Sequence, residues 1–133
     1  MMLKMLKKHL FMLKYKLLIL FLIRIYLSFA QDAHIIDQVK KLHDDSLKTA
    51  FLETIFYEDQ SIRNKWLESI NSDSLTRSDL LSKVRAVDSL SFIKIDCYLA
   101  YYHYPSALKL SNLAVLTPWL VIHHATHNEV RIR

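Results

Sequence analysis

Glycine is absent from all 133 residues of the chain. Glycine adopts positive φ without a steric cost, and the tight turns of β-hairpins depend on it. The glycine-rich loops that hold phosphate groups in P-loop and dinucleotide-binding proteins are excluded for the same reason. This composition favours helices, and we expect an all-α fold.

The first thirty residues have the order of a secretory signal. Residues 1–30 contain six basic residues and no acidic residue, and an apolar run covers 17–23. The small residues Ser28 and Ala30 follow it. Signal peptides share this order of charged, apolar and small-residue regions. We therefore predict a secretory signal peptide at 1–30, cleaved before Gln31, and an exported protein that is periplasmic or extracellular.

An uncleaved anchor is the alternative reading of the same segment. Residues 11–30 approach the length of about 20 residues that a membrane span needs. Arg24 interrupts the apolar run, and a central arginine opposes insertion. In this reading the protein is anchored in the inner membrane, which it contacts through the N-terminal segment alone.

The charges outside this segment are balanced. Residues 31–133 contain 12 Lys and Arg against 13 Asp and Glu, a formal net charge of −1. Nucleic acid is therefore excluded as a partner, because affinity for phosphate needs clustered basic residues. Cys97 is the only cysteine, so no intramolecular disulfide can form. A small exported domain without disulfides must be stabilised by its apolar core or by a protein partner.

Apolar residues recur at steps of three and four through the predicted mature chain. Residues 44–46 are acidic or hydroxylated and predict a helix start. The stripe that follows predicts an amphipathic helix of about 25 residues. The polar residues at 71–74 predict a linker. We expect an irregular bundle of four or five helices that forms a single domain over 31–133.

In the second half of the chain, the helix boundaries follow from shorter apolar stripes and from a proline. A short stripe at 80–87 predicts a third helix, and Asp88 with Ser89 predicts the start of another helix over 90–104. Pro118 allows two readings. Either Thr117 caps a new helix with proline at its first position, or one helix runs from about Ser111 and bends at the proline.

Three histidines near the C-terminus are the candidate metal ligands. His123 and His127 are four residues apart, and His124 and His127 are three apart, so either pair can share one helix face. Imidazoles at this spacing bind Zn²⁺, although catalytic zinc sites usually have three protein ligands. Surface histidines near a helix C-terminus explain the same pattern without a metal. We expect no cofactor, with Zn²⁺ as the weak exception.

A second polar set contains the candidate catalytic residues Asp59, Arg63 and His124, with Gln60 beside them. A His–Asp couple can act as a general base if the fold brings the two side chains together. Asp59 and Arg63 are also spaced as an ordinary surface ion pair on one helix. A polar network that fixes helix packing would use the same residues without catalysis.

Three local patterns resemble one family of proteins. Residues 59–63 read D-Q-S-I-R and resemble a D-Q-x-x-R element, residues 104–106 resemble an aromatic-Pro-Ser step, and residues 119–125 resemble W-L-x-x-Q-H-A. The family is an uncharacterised, largely bacterial family of exported helical proteins of unknown function. The resemblance covers about residues 51–127. It implies a helical fold and an exported setting, and it implies no reaction.

The chain departs from this family pattern at three positions. His103 stands where relatives carry glycine, Ser111 stands where glycine is frequent, and His123 replaces glutamine. Relatives also continue past the histidine element, so we expect this chain to be a C-terminally truncated copy.

The sequence leaves open whether the protein is an enzyme. We expect a non-enzymatic envelope interaction protein that binds a protein partner or itself. The alternative is a small hydrolase or metal-binding domain centred on His124 with Asp59.

Overall fold

The computed structural model describes the backbone of residues 2–130 and the side chains of residues 14, 16–23, 26 and 30–125. Within this part of the chain all regular structure is helical. The elements are α1 (Met2–Lys40), α2 (Asp45–Glu68), a short 3₁₀ helix (Ser69–Asn71), α3 (Ser74–Tyr102) and α4 (Asn112–Val130). The predicted all-α bundle of four or five helices is confirmed.

The chain divides into two compact units, Met1–His34 and Ile35–Arg133. The cleavage position before Gln31 lies within α1, and the signal peptide stays a prediction. None of the described helices is both long enough and apolar enough to cross a membrane. Several side chains of residues 11–30 lie outside the described ones, so the anchor also stays a prediction.

Asp44 and Asp73 cap the N-termini of α2 and α3. Asp44 is extended, and its Oδ1 accepts a hydrogen bond from the Leu47 amide at 2.8 Å. Asp73 Oδ1 accepts from the amides of Leu75 and Thr76, each at 3.0 Å. Each aspartate satisfies amides that the first helical turn leaves free. The predicted start of α2 is therefore confirmed, and α3 begins at Ser74, the last residue of the predicted linker.

The predicted break at Asp88 is wrong. α3 continues without interruption from Ser74 to Tyr102, so the stripes at 80–87 and 90–104 belong to one helix. Asp88 is buried in the middle of this helix and forms an ion pair with Arg63 of α2. Its carboxylate accepts from a guanidinium on another helix and not from the free amides of a first helical turn.

α4 resolves the two readings of Pro118. The helix runs through the proline, which is buried within it, and its first turn is capped by Ser111. Ser111 Oγ accepts from the Ala114 amide at 3.2 Å and donates to a carboxylate oxygen of Glu53 on α2. The single helix from about Ser111 is confirmed, and the serine also ties its start to α2.

The core of the Ile35–Arg133 unit lies between α2, α3 and α4. Its buried apolar members are Leu42, Leu52, Ile55, Ile95, Tyr98, Leu110, Ala114 and Val121. Tyr98 stacks against Phe51 and lies beside Tyr102, whose hydroxyl donates to the Val39 carbonyl at 3.0 Å. Tyr98 and Tyr102 therefore pack in or against the core, while Tyr101 and Tyr104 are exposed.

Candidate functional site

Five polar residues from three helices meet inside the bundle. Asp59, Gln60 and Arg63 lie on α2, Asp88 lies on α3 and His124 lies on α4. We refer to these five residues as the polar cluster. Both aspartates are buried, and the side chains of Arg63 and His124 are about one-fifth exposed. The cluster therefore lies at the edge of the core and reaches solvent through Arg63 and His124.

Asp59 is the centre of the hydrogen bonding. Its Oδ1 lies 3.1 Å from His124 Nδ1, and its Oδ2 accepts from Gln60 Nε2 at 2.8 Å. Arg63 Nε lies 3.2 Å from both carboxylate oxygens. An ionised carboxylate only accepts, so the contact with His124 requires the imidazole proton on Nδ1. The neutral tautomer then has its basic lone pair on Nε2.

Asp88 is held by the same guanidinium. An Nη of Arg63 donates to Asp88 Oδ1, so that one arginine bridges carboxylates on two helices. Burial raises the pKa of Asp88 above its ordinary value, and the nearby Asp59 carboxylate raises it further. Arg63 and His124 oppose this increase in the pKa. Burial is the largest of these effects, so the pKa of Asp88 is raised overall.

The formal charges of the polar cluster do not cancel in every protonation state. Two ionised aspartates and Arg63 leave one negative charge if His124 is neutral. One proton, on the imidazole or on Asp88, makes the set neutral. Because an uncompensated charge is costly in a buried environment, the Arg63 guanidinium between the two aspartates offsets part of their negative charge.

The geometry also meets the first requirement of a metal site. Asp59, Asp88 and His124 each offer one ligand atom, and these atoms lie within 4.8 Å of one another. Two carboxylate oxygens and one imidazole nitrogen are a ligand set that Zn²⁺ accepts. Arg63 contacts both carboxylates, so a cation would have to compete with a guanidinium already in place.

The structure brings together one of the two predicted sets. Asp59, Gln60, Arg63 and His124 lie in contact, as the polar set requires. His123 is not part of this cluster: its ring stacks on Trp119 with centroids 5.1 Å apart and an interplanar angle of 7°. The side chain of His127 lies outside the described residues. The predicted histidine set therefore stays a prediction, and of its two described members His124 faces two aspartates while His123 stacks on Trp119.

Asp88 is the member of the polar cluster that the sequence analysis missed. A signal for it exists in the spacing. The buried residues of α3 are Val84, Asp88, Ser91, Ile95 and Tyr98, which follow steps of four and three. Asp88 is thus in register with the core stripe, where a carboxylate needs a buried partner.

Comparison with known proteins provides no relative for this chain: no protein-family model, curated protein or solved structure matches it. The resemblance carried by the D-Q-x-x-R and histidine elements therefore stays a prediction.

Proposed function

We propose that this protein is an exported, non-enzymatic helical protein of the bacterial envelope, and that it acts by associating with a protein partner or with itself. One observation carries the proposal. The residues that the sequence nominates for chemistry are engaged with one another across three helices. Asp59 accepts from Arg63, Gln60 and His124, and Arg63 also binds Asp88. This arrangement is what a network that fixes helix packing requires.

Two clefts of the described region support the same proposal. One cleft of about 420 Å³ lies between α2 and α3 and is bordered by Glu58, Ile62, Leu90 and Lys94 among others. A second, of about 300 Å³, is bordered by Trp66, Ile70 and Leu81 among others. Neither is lined by a member of the polar cluster. A general base must reach its substrate within hydrogen-bond distance, and these clefts do not offer that access.

The experiment is crosslinking in intact Gram-negative cells that produce the full chain. The purified product is then analysed by mass spectrometry for its N-terminus and for crosslinked chains. We expect an N-terminus at Gln31 and a discrete crosslinked species. Leu20→Arg places a second charge in the apolar run, and we expect it to block export. A product that is monomeric and captures no chain contradicts the proposal.

A small hydrolase or metal-binding domain centred on His124 with Asp59 is the second candidate. The observation that favours it is the convergence of ligand atoms from Asp59, Asp88 and His124 within 4.8 Å. In this case Arg63 occupies the cation position of the metal-free protein. Zn²⁺ would then displace the guanidinium, whose side chain is partly exposed and therefore free to turn outward.

Thermal melting with and without Zn²⁺ tests the second candidate. If these residues bind Zn²⁺, the ion should raise the melting temperature of the wild type. Asp88→Asn should abolish that increase. Arg63→Gln leaves two carboxylates uncompensated, and Zn²⁺ should restore the stability that this variant loses. His123→Ala, outside the polar cluster, is the control. A melting temperature unaffected by Zn²⁺ in all four proteins contradicts metal binding.

A further inference from the structure

The two faces of α4 differ sharply in what they contact. Ala114, Thr117 and Val121 are buried against the bundle. On the opposite side Leu116 is 44% exposed and Trp119 is 55% exposed. Their spacing of three residues places them on one face of the helix. We call Leu116, Trp119 and His123 the outer face of α4.

The outer face carries an ordered aromatic anchor. The indole of Trp119 lies parallel to the His123 ring with centroids 5.1 Å apart. Stacking restricts the rotamers of both side chains, so that less conformational entropy is lost when the indole is covered. Tryptophan is also the residue type most often found among the strongest contributors to protein interfaces.

The absence of charged residues from most of α4 limits which partners can bind its outer face. Residues 112–128 contain no Asp, Glu, Lys or Arg. A face without charged groups offers nothing for a charged partner to pair with, and it would leave the partner's charges desolvated. It can, however, meet a copy of itself without repulsion between like charges. The net charge over residues 31–133 is only −1, so electrostatic repulsion between two copies of the chain is small.

We infer that the outer face of α4 is the docking surface for a second copy of this chain. In a two-fold arrangement the same patch serves both protomers, so the outer face of one α4 packs against the outer face of the other. This inference rests on the proposed function and specifies its partner. One face of one helix buries less than the ~1,600 Å² of a standard interface, so we expect a weak, concentration-dependent dimer.

Sedimentation equilibrium over a broad concentration range tests the inference, on protein purified from cells that produce the full chain. Trp119→Glu should raise the dimer dissociation constant by about tenfold or more, because it removes the anchor and places two like charges together. Tyr57→Glu is the matched control, since Tyr57 is 58% exposed on α2. Melting followed by circular dichroism confirms that both variants remain folded.

A photo-crosslinking residue at position 116, introduced as Leu116→p-benzoylphenylalanine, identifies what covers the face. A crosslink between two copies supports the inference, and a crosslink to a different protein overturns it. If the wild type dimerises and Trp119→Glu behaves as Tyr57→Glu does, the docking surface is wrong while association stands. If the wild type is monomeric and no chain is crosslinked, both the inference and the proposed function fail.

Discussion

At the scale of single residues, Asp88 couples the fold to pH. It occupies a core position of α3, where burial raises the pKa of its carboxyl above the ordinary value of 3.8. The folded state therefore holds this proton more tightly than the unfolded state does. The contribution of Asp88 to stability is complete below the ordinary pKa, and it is lost as the pH rises through the higher pKa of the folded protein.

Asp88→Asn should remove this dependence. As the pH rises from about 4 toward neutrality, we expect the wild type to lose stability relative to the variant, because only the wild type must give up the proton. Urea unfolding at a series of pH values measures the difference in free energy. Asp79→Asn, which changes an exposed carboxyl on the same helix, should follow the wild type. A wild type that gains stability over Asp88→Asn across this range would show that Arg63 outweighs burial.

At the scale of the helices, the C-terminus of α3 contains a strained residue. His103 ends the helix with φ 62° and ψ −168°, a combination that glycine adopts without a steric cost. The amide of His103 still donates to the Leu99 carbonyl at 3.0 Å, so the backbone hydrogen bond is formed despite the strain. The family resemblance implies glycine at this position, and the positive φ of His103 gives a physical reason for glycine there.

His103→Gly should therefore stabilise the protein. Relief of the strain exceeds the extra freedom of glycine in the unfolded chain, and we expect a gain of about 1 kcal/mol in the free energy of unfolding. Chemical denaturation measures it. Ser89→Gly, on the exposed side of α3, is the matched control and should cost about 0.5–1 kcal/mol. Equal losses in the two variants would show that His103 is not strained.

The helix boundaries also show how far the sequence predicts this fold. Asp44 was predicted as a helix start, and Asp73 carries the same signal within the predicted linker, because a cap uses amides within three residues of itself. Asp88 has the same local appearance, yet its partner Arg63 lies on another helix, 25 residues away in the chain. The capping pattern alone cannot distinguish a carboxylate that caps a turn from one that binds across the bundle, whereas the register of Asp88 with the buried stripe of α3 indicates the second role.

At the scale of the whole molecule, the polar cluster connects the three helices that form the core. The pairing of Asp59 with Arg63 follows from their spacing on one helix, so the sequence could predict it. The contacts to Asp88 and His124 depend on how α3 and α4 pack against α2, and no spacing within the chain contains that information. The sequence pairs His124 with Asp59 only on the condition that the fold brings the two side chains together, and the candidate set that it predicts does not include Asp88.

Removal of Arg63 tests whether the cluster is required for the packed bundle. Arg63→Met leaves Asp59 and Asp88 buried near each other without a cation, and breaking a buried pair in this way costs about 3–5 kcal/mol. Small domains have a total stability of about 5–15 kcal/mol, so the loss should be visible as a much lower urea midpoint. Arg85→Met, which removes an exposed arginine of α3, should change the midpoint little.

A second variant separates the packing role of the cluster from its contribution to stability. Arg63→Met combined with Asp59→Leu, Asp88→Leu and His124→Leu removes every charge at once. Apolar replacement of a whole buried ionic set is often neutral or stabilising, so we expect this variant to regain most of the stability that Arg63→Met loses. Near-ultraviolet circular dichroism then reports whether its core is still uniquely packed. If Arg63→Met is as stable as Arg85→Met, the cluster does not hold the helices together, and its residues are free for the chemistry that the second candidate function requires.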